Sequence, residues 1–250
     1  MLLRSGVLDP GGETGRSLHI HPAVVAAGEF EHPVRAWQGI PQTVECTEHL
    51  NLSGEHRPGR NQRLWILPAF GHPAATATLL PAHGRTHRQW MERYDHLSVL
   101  TAMLHDQTPG RVRPNGEMGL EIDYTPDPED QRELLAGLQH CARLLFAAGA
   151  KRVCIPTSAP MVLESVQEIG QLDDLVWKPG QIQLSAVHPM STVPMGDDPA
   201  VAAVDSEGRH HHLRGLWIAD GSLMPTSIGG PPQLSIYALG LHVGRAVAKT

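Results

Sequence analysis

The residues best suited to chemistry lie in the last quarter of the chain. His188 is followed by Pro189 and by the turn-forming run "MSTVPMGDDP". Such a run can fix an imidazole rigidly on a loop, which is where catalytic groups are often mounted. Sixteen histidines make any single one a weak clue, so a structural or surface role for His188 stays open on spacing alone. Further on, "LRGLWIADGS" reads as an apolar strand ending in Asp220, a carboxylate placed to accept hydrogen bonds from ligand hydroxyls. Gly229 and Gly230 carry no Cβ and let a ligand ring or backbone approach closely. Pro232 suits the first turn of a helix, whose free N–H groups near Gln233, Leu234 and Ser235 would face an anion or an electron-rich carbonyl.

Other polar clusters point to less. His210, His211 and His212 read as an exposed turn, because neighbours along an extended chain point to opposite faces and cannot converge on a metal. His19 and His21 share a strand face, but no third ligand is in view, and no metal is expected. Cys46, Cys141 and Cys154 are far apart and form no CxxC pair, so they read as ordinary buried thiols of a reducing interior.

The elements that must hold these residues are partly legible. Residues 1–16 are turn-rich, and "HIHPAVVAAGEF" (19–30) and "NQRLWIL" (61–67) read as strands. "GHPAATATLL" suits either a strand or a buried helix, and the segment from Ala82 to Asp106 starts helical and turns extended. "GRVRPNGEMGLEIDYTP" predicts a hairpin turning at Pro-Asn-Gly. The clearest element is a helix from Asp127 to Ala150: Asp127 as N-cap, Pro128 at N1, acids in the first turn, and Leu134, Leu138, Cys141, Ala142 and Leu145 at helical spacing. "KRVCIP" is a short strand, and "PPQLSIYALGLHVGRAVA" a helix entered through prolines. Hairpin-like strands with sparse βαβ order predict an α+β region over roughly 17–184.

The net charge of −6 and the absence of a basic, aromatic-interleaved stripe argue against a nucleic-acid partner. No apolar run approaches the ~20 residues that span a bilayer. The opening segment does not read as a signal peptide, so a cytoplasmic protein with no membrane association is expected.

Four blocks then combine in order: "HPMSTVPMG", "DDPAVAAVDSEGR", "LWIADGSLMPTS" and "PPQLSIYAL". Together they resemble the C-terminal signature of the glucose–methanol–choline (GMC) oxidoreductases, a flavoprotein family, whose loop reads approximately H-P-x-G-T-x-x-M-G. Upstream, "GRSLHIHPAVVAAGEF" is similar to the family's crossing into its substrate domain. The resemblance implies FAD as cofactor and a small-molecule alcohol as substrate. It places His188 at the active-site histidine that takes the hydroxyl proton, Asp220 and Gly221 at the ribityl–pyrophosphate portion of the flavin, and Pro232, Gln233 and Leu234 at the helix start facing its pyrimidine. It further implies an antiparallel-sheet substrate domain over 17–184, a remnant of the FAD-binding domain over 1–16, and a C-terminal strand and helix of that domain within 185–250. The sequence departs from the family at three points. Ser191 replaces the usual loop glycine. Pro231 occupies the second active-site position, usually His or Asn, and offers neither donor nor base. The nucleotide-binding G-x-G-x-x-G is absent, so FAD is expected to need a missing N-terminal half, in the same reading frame or as a separate FAD-binding subunit. The alternative is a non-catalytic small-molecule-binding or interaction module derived from the family.

Overall fold

The computed structural model describes residues 3, 11–40, 42–51, 63–80, 82–116 and 119–250. Most of the turn-rich start, Asn61 and Gln62 of the expected second strand, and the two residues after Gly116 lie outside them. The chain forms two compact units: Met1–His21 with His105–Asp130 and Ala186–Thr250, and Pro22–Leu104 with Gln131–Ser185.

The second unit is an antiparallel sheet with helices. Strands β1 (Ala23–Glu29), β2 (Leu64–Ala69), β3 (Leu97–Leu104), β6 (Arg152–Ile155) and β7 (Met161–Leu163) lie in the order β2-β3-β1-β6-β7. β1 pairs with β3 from Ala23↔Met103 to Glu29↔Leu97. The ambiguous small-residue segment is helical, as α1 (Pro73–Leu79), and α2 (Gly84–Glu92) follows. α3 runs Pro128–Ala147, as its caps dictate: Asp127 Oδ1 accepts from the N–H groups of Glu129 (2.9 Å) and Asp130 (2.8 Å). Its Leu134, Leu138, Cys141 and Leu145 form one core with Val24, Ala26, Leu64, Ala102, Leu104 and Val153. Gly137 lets the helix lie close to the sheet, since a Cβ there would stand 2.7 Å from the Cβ of Ala102. Burial pushes the Cys141 thiol up to about 12 and that of Cys154 up to about 11, so both are inert packing groups.

The first unit has the predicted hairpin, β4 (Arg111–Asn115) and β5 (Gly119–Asp123), and the helix α4 (Gln233–Val247). Its core is Val193, Ala203, Val204, Leu223 and Val243. The strand expected at "LRGLWIADGS" does not form. Trp217 makes a single bridge to Arg209, and the chain then enters a short 3₁₀ turn, Gly221–Leu223. An apolar run becomes a strand only where a partner completes its ladder. Here the turn is favoured instead because Asp220 caps it, accepting from Ser222 N–H (2.8 Å) and Ser222 Oγ–H (2.5 Å). The histidine run is also not simply exposed. His210 is buried at the Val204 bridge, and His211 Nε2–H donates to the Gly196 carbonyl at 2.9 Å, which pins the end of the "HPMSTVPMG" loop.

Candidate functional site

The His188 loop is laced to the turn after Asp220. Ser191, Val193 and Met195 donate their N–H groups to the carbonyls of Gly221 (3.3 Å), Ser222 (3.0 Å) and Leu223 (2.9 Å). Gly221 is buried beneath this seam. A Cβ on it would stand 3.3 Å from both the Pro189 carbonyl oxygen and the Ile236 side chain, so a small residue joins the loop to the first turn of α4. Ser191, the residue in place of the family glycine, is fully buried and adopts φ +66°. That left-handed conformation suits glycine, and the Ser191 hydroxyl has no hydrogen-bond partner among the described residues.

His188 is half-buried, and burial holds its pKa below the usual value, so it is neutral at neutral pH. Its Nδ1 lies 3.4 Å from Nδ1 of His21, with the two rings edge to face at 5.4 Å. His21 is 1 % exposed, and its Nε2 accepts the Gly229 N–H at 3.1 Å. Burial dominates the His21 titration and lowers it to about 4, opposed by the negative Asp106 and aided by the neighbouring His188, His105 and His19.

Beneath this pair sits a buried carboxylate. Asp106 accepts from the consecutive N–H groups of Ile20 and His21 (both 3.2 Å), from the Tyr124 hydroxyl (3.1 Å) and from His19 Nδ1–H (3.3 Å). Left-handed backbone at His21 (φ +46°) accompanies the two adjacent N–H groups that meet one carboxylate, and histidine is among the residues that tolerate that region. Burial favours the protonated acid, but the hydrogen bond from His19, the proximity of the Ser227 hydroxyl, the electrostatic effect of His19 and the Ile20 N–H outweigh it, and the Asp106 pKa is lowered. Desolvation beside that carboxylate raises the Tyr124 phenol. His105 Nε2–H donates to the Ser227 carbonyl at 3.0 Å.

The structure therefore ties the loop that follows His188 to Gly221 through backbone bonds, and sets His188 against His21, with His105, Asp106 and Tyr124 around it, which sequence reasoning did not assign. The one pointer was the "HIHP" stretch, whose His-Pro pair repeats that of His188-Pro189. It recurs at His32 and His72, which removed its force. Asp220, Pro231, Gln233 and Leu234 are exposed, and Pro232 is buried as the N-cap of α4. Gln233 Nε2–H donates to the Tyr237 hydroxyl at 2.9 Å. Pro232 supplies no capping side chain, and the first backbone bond of α4 is Ile236 N–H to the Pro232 carbonyl. The N–H groups of Gln233, Leu234 and Ser235 thus have no acceptor among the described residues, and Leu234 beside them is 80 % exposed. Uncapped donors flanked by exposed apolar surface fit the polar edge of a flat heteroaromatic ring such as flavin. Among the described residues no group of three or more His, Cys, Asp or Glu is arranged to hold a metal ion, and no helix is long and apolar enough to cross a membrane.

Similarity to known proteins identifies the family. The GMC oxidoreductase C-terminal family pattern matches residues 107–240. An uncharacterised GMC-type oxidoreductase of Mycobacterium tuberculosis is 32% identical over 99% of this chain and 38% of its own length. A long-chain-alcohol oxidase of Arabidopsis thaliana is 26% identical over 94% of the chain and 33% of its own length. Among solved structures, pyridoxine 4-oxidase from Mesorbium loti superposes with a TM-score of 0.63 at 20% identity, over 100% of this chain and 49% of that one. Formate oxidase of Aspergillus oryzae superposes at 0.60 and 15% identity, over 94% and 47%. The chain thus spans between a third and a half of the length of these relatives. With a family match over more than half its residues and the α+β fold of its structural neighbours, this chain belongs to the GMC oxidoreductase family and corresponds to its C-terminal portion.

Proposed function

We propose that the chain is the C-terminal part of an FAD-dependent oxidoreductase acting on the CH–OH group of a small-molecule alcohol, completed by a nucleotide-binding half whose glycine fingerprint lies outside this sequence. The observation that supports the reading is the seam that ties the loop carrying the neutral, half-buried His188 to Gly221 and the turn before α4. In this reading 17–184 is the substrate-binding domain and 185–250 the cofactor-facing segment. His188 is the acid–base group at the substrate oxygen, because it is the titratable side chain of the signature loop and is uncharged at neutral pH. Asp220, Gly221, Pro232, Gln233 and Leu234 would hold the cofactor: Gly221 by leaving room, and the uncapped N–H groups after Pro232 by favouring negative charge at the ring edge. FAD, when bound, supplies the hydride acceptor.

The test is co-expression of this chain with the nucleotide-binding half of its Mycobacterium relative, followed by anaerobic mixing with a panel of short- and long-chain primary alcohols. Flavin retained by the pair but not by the chain alone, and bleached by an alcohol, is the expected result. His188→Ala should keep the flavin and lose about 10²–10⁴-fold in reduction rate. Stoichiometric flavin on the isolated chain, or full activity in His188→Ala, refutes the reading. A non-catalytic binding module is the second reading, favoured by Pro231, which is exposed and carries neither donor nor base. It predicts bound flavin that no alcohol reduces.

A further inference from the structure

Three groups form a chain with only one self-consistent proton pattern. The Gly229 N–H is a donor that cannot reverse, so Nε2 of His21, 3.1 Å away, must present a lone pair. A neutral imidazole carries one N–H, so the His21 proton sits on Nδ1. That N–H points at Nδ1 of His188, 3.4 Å away, which must in turn be a lone pair. The His188 proton is then left on Nε2. We propose that His21 is a positioning residue that fixes the tautomer of His188 through Gly229, so that His188 meets an oxygen ligand with a donor, Nε2–H.

Two further observations support this assignment. His21 is buried, and desolvation keeps it neutral, so the alternative of a doubly protonated His21 is excluded at neutral pH. Its ring is held from other sides: Asp106 accepts the His21 backbone N–H, and the His105 ring stands edge-on at 6.5 Å. The consequence is specific to this sequence. Pro231 gives the substrate oxygen no partner, so the proton on His188 decides whether the site donates to a carbonyl or alkoxide or accepts from an alcohol. Acceptance at Nε2 requires the whole pattern to reverse. His188 then holds its proton on Nδ1, facing a lone pair on His21 Nδ1, and His21 holds its own on Nε2, facing a Gly229 N–H that has turned away. Gly229, with φ +76°, lies in the Gly-Gly-Pro-Pro stretch that leads into α4, so movement of that stretch would be felt as a change of tautomer at His188.

The inference rests on the proposed function only for what His188 does to a substrate. The tautomers themselves are read on the full chain without flavin or alcohol. Long-range proton–nitrogen NMR of histidine-labelled protein at pH 7.5 resolves them, with His188→Gln and His21→Phe serving to assign the two rings. The expected result is His21 protonated on Nδ1, the tautomer less favoured by free imidazole side chains in water, and His188 protonated on Nε2. In His21→Phe the His188 Nδ1 resonance should move to that of a nitrogen without a hydrogen bond. His21→Asn, which tolerates the left-handed backbone and restores an N–H donor, should bring it back. His21 protonated on Nε2, His188 protonated on Nδ1, or a His188 Nδ1 resonance indifferent to His21→Phe overturns the proposal. Should the Phe variant not fold, the wild-type tautomers alone decide. Failure of alcohol oxidation with these tautomers in place would refute the proposed function and leave the assignment standing.

Discussion

Replacing Ser191 by glycine should stabilise the protein, although the substitution removes atoms from a fully buried position. Ser191 holds φ +66°, and the left-handed region costs a residue with a Cβ roughly 1–2 kcal/mol. Its hydroxyl is buried without a partner among the described residues, a desolvation cost of about 1–3 kcal/mol. Against these, glycine adds freedom to the unfolded chain worth about 0.4–1 kcal/mol. The backbone bond from Ser191 N–H to the Gly221 carbonyl is untouched. The balance favours Ser191→Gly by about 2 kcal/mol, which in a chain of this size raises the unfolding midpoint by roughly 4–8 °C. Circular dichroism during heating and in urea measures it. Ser191→Ala separates the two contributions, because it removes the hydroxyl and keeps the backbone cost, so it should recover only part of the gain. A Ser191→Gly protein no more stable than the parent, or less stable than Ser191→Ala, would refute the assignment of strain to this position.

Two further outcomes are expected. A histidine whose pKa falls from 6.5 unfolded to about 4 folded binds its proton more readily in the unfolded chain. Stability from His21 is therefore fully present above pH 6.5 and is lost as pH falls from there toward 4, by on the order of 3 kcal/mol. His140, stacked on His49 and also lowered to about 4 by burial, titrates over the same window, so urea midpoints of the parent and of His21→Asn should be compared at each pH. The slope should be shallower in the variant. Asp130 is buried and accepts from Gln107 N–H (3.1 Å), Thr108 N–H (3.0 Å) and the Thr108 hydroxyl (2.6 Å). Asp130→Ala should cost about 3 kcal/mol in urea unfolding, because it strands buried donors.

What could be read in the sequence was whatever a local pattern determines. Asp127, Pro128 and the Leu134–Leu138–Leu145 stripe fixed α3 because capping and helical spacing act within a few turns, and Pro-Asn-Gly placed the β4–β5 hairpin for the same reason. The "LWIADGS" run misled because apolar residues announce a strand without announcing its neighbour, and Asp220 caps a turn instead. The seam between the His188 loop and Gly221 was foreshadowed by the order of the four blocks, since the family resemblance covers both sides of it. The environment of His188 was not legible. Asp106 meets His21 from 85 positions away, and His188 from 167, so no window of sequence contains the arrangement. With sixteen histidines, residue type could not substitute for proximity.

The first unit is stitched from three separated stretches of chain, and this sets the timing of its assembly during synthesis. The Gly229 N–H that fixes His21 lies 208 positions downstream of it. At roughly 5–20 residues per second, a ribosome takes about ten to forty seconds to cover that span. All five strands of the sheet, and Asp106, are made within that interval, whereas the His188 loop and α4, which later surround His21, come only at its end. A pause, a nonsense codon or a proteolytic cut after Ser185 would therefore leave the sheet's sequence whole and remove His188, Gly229 and α4 together.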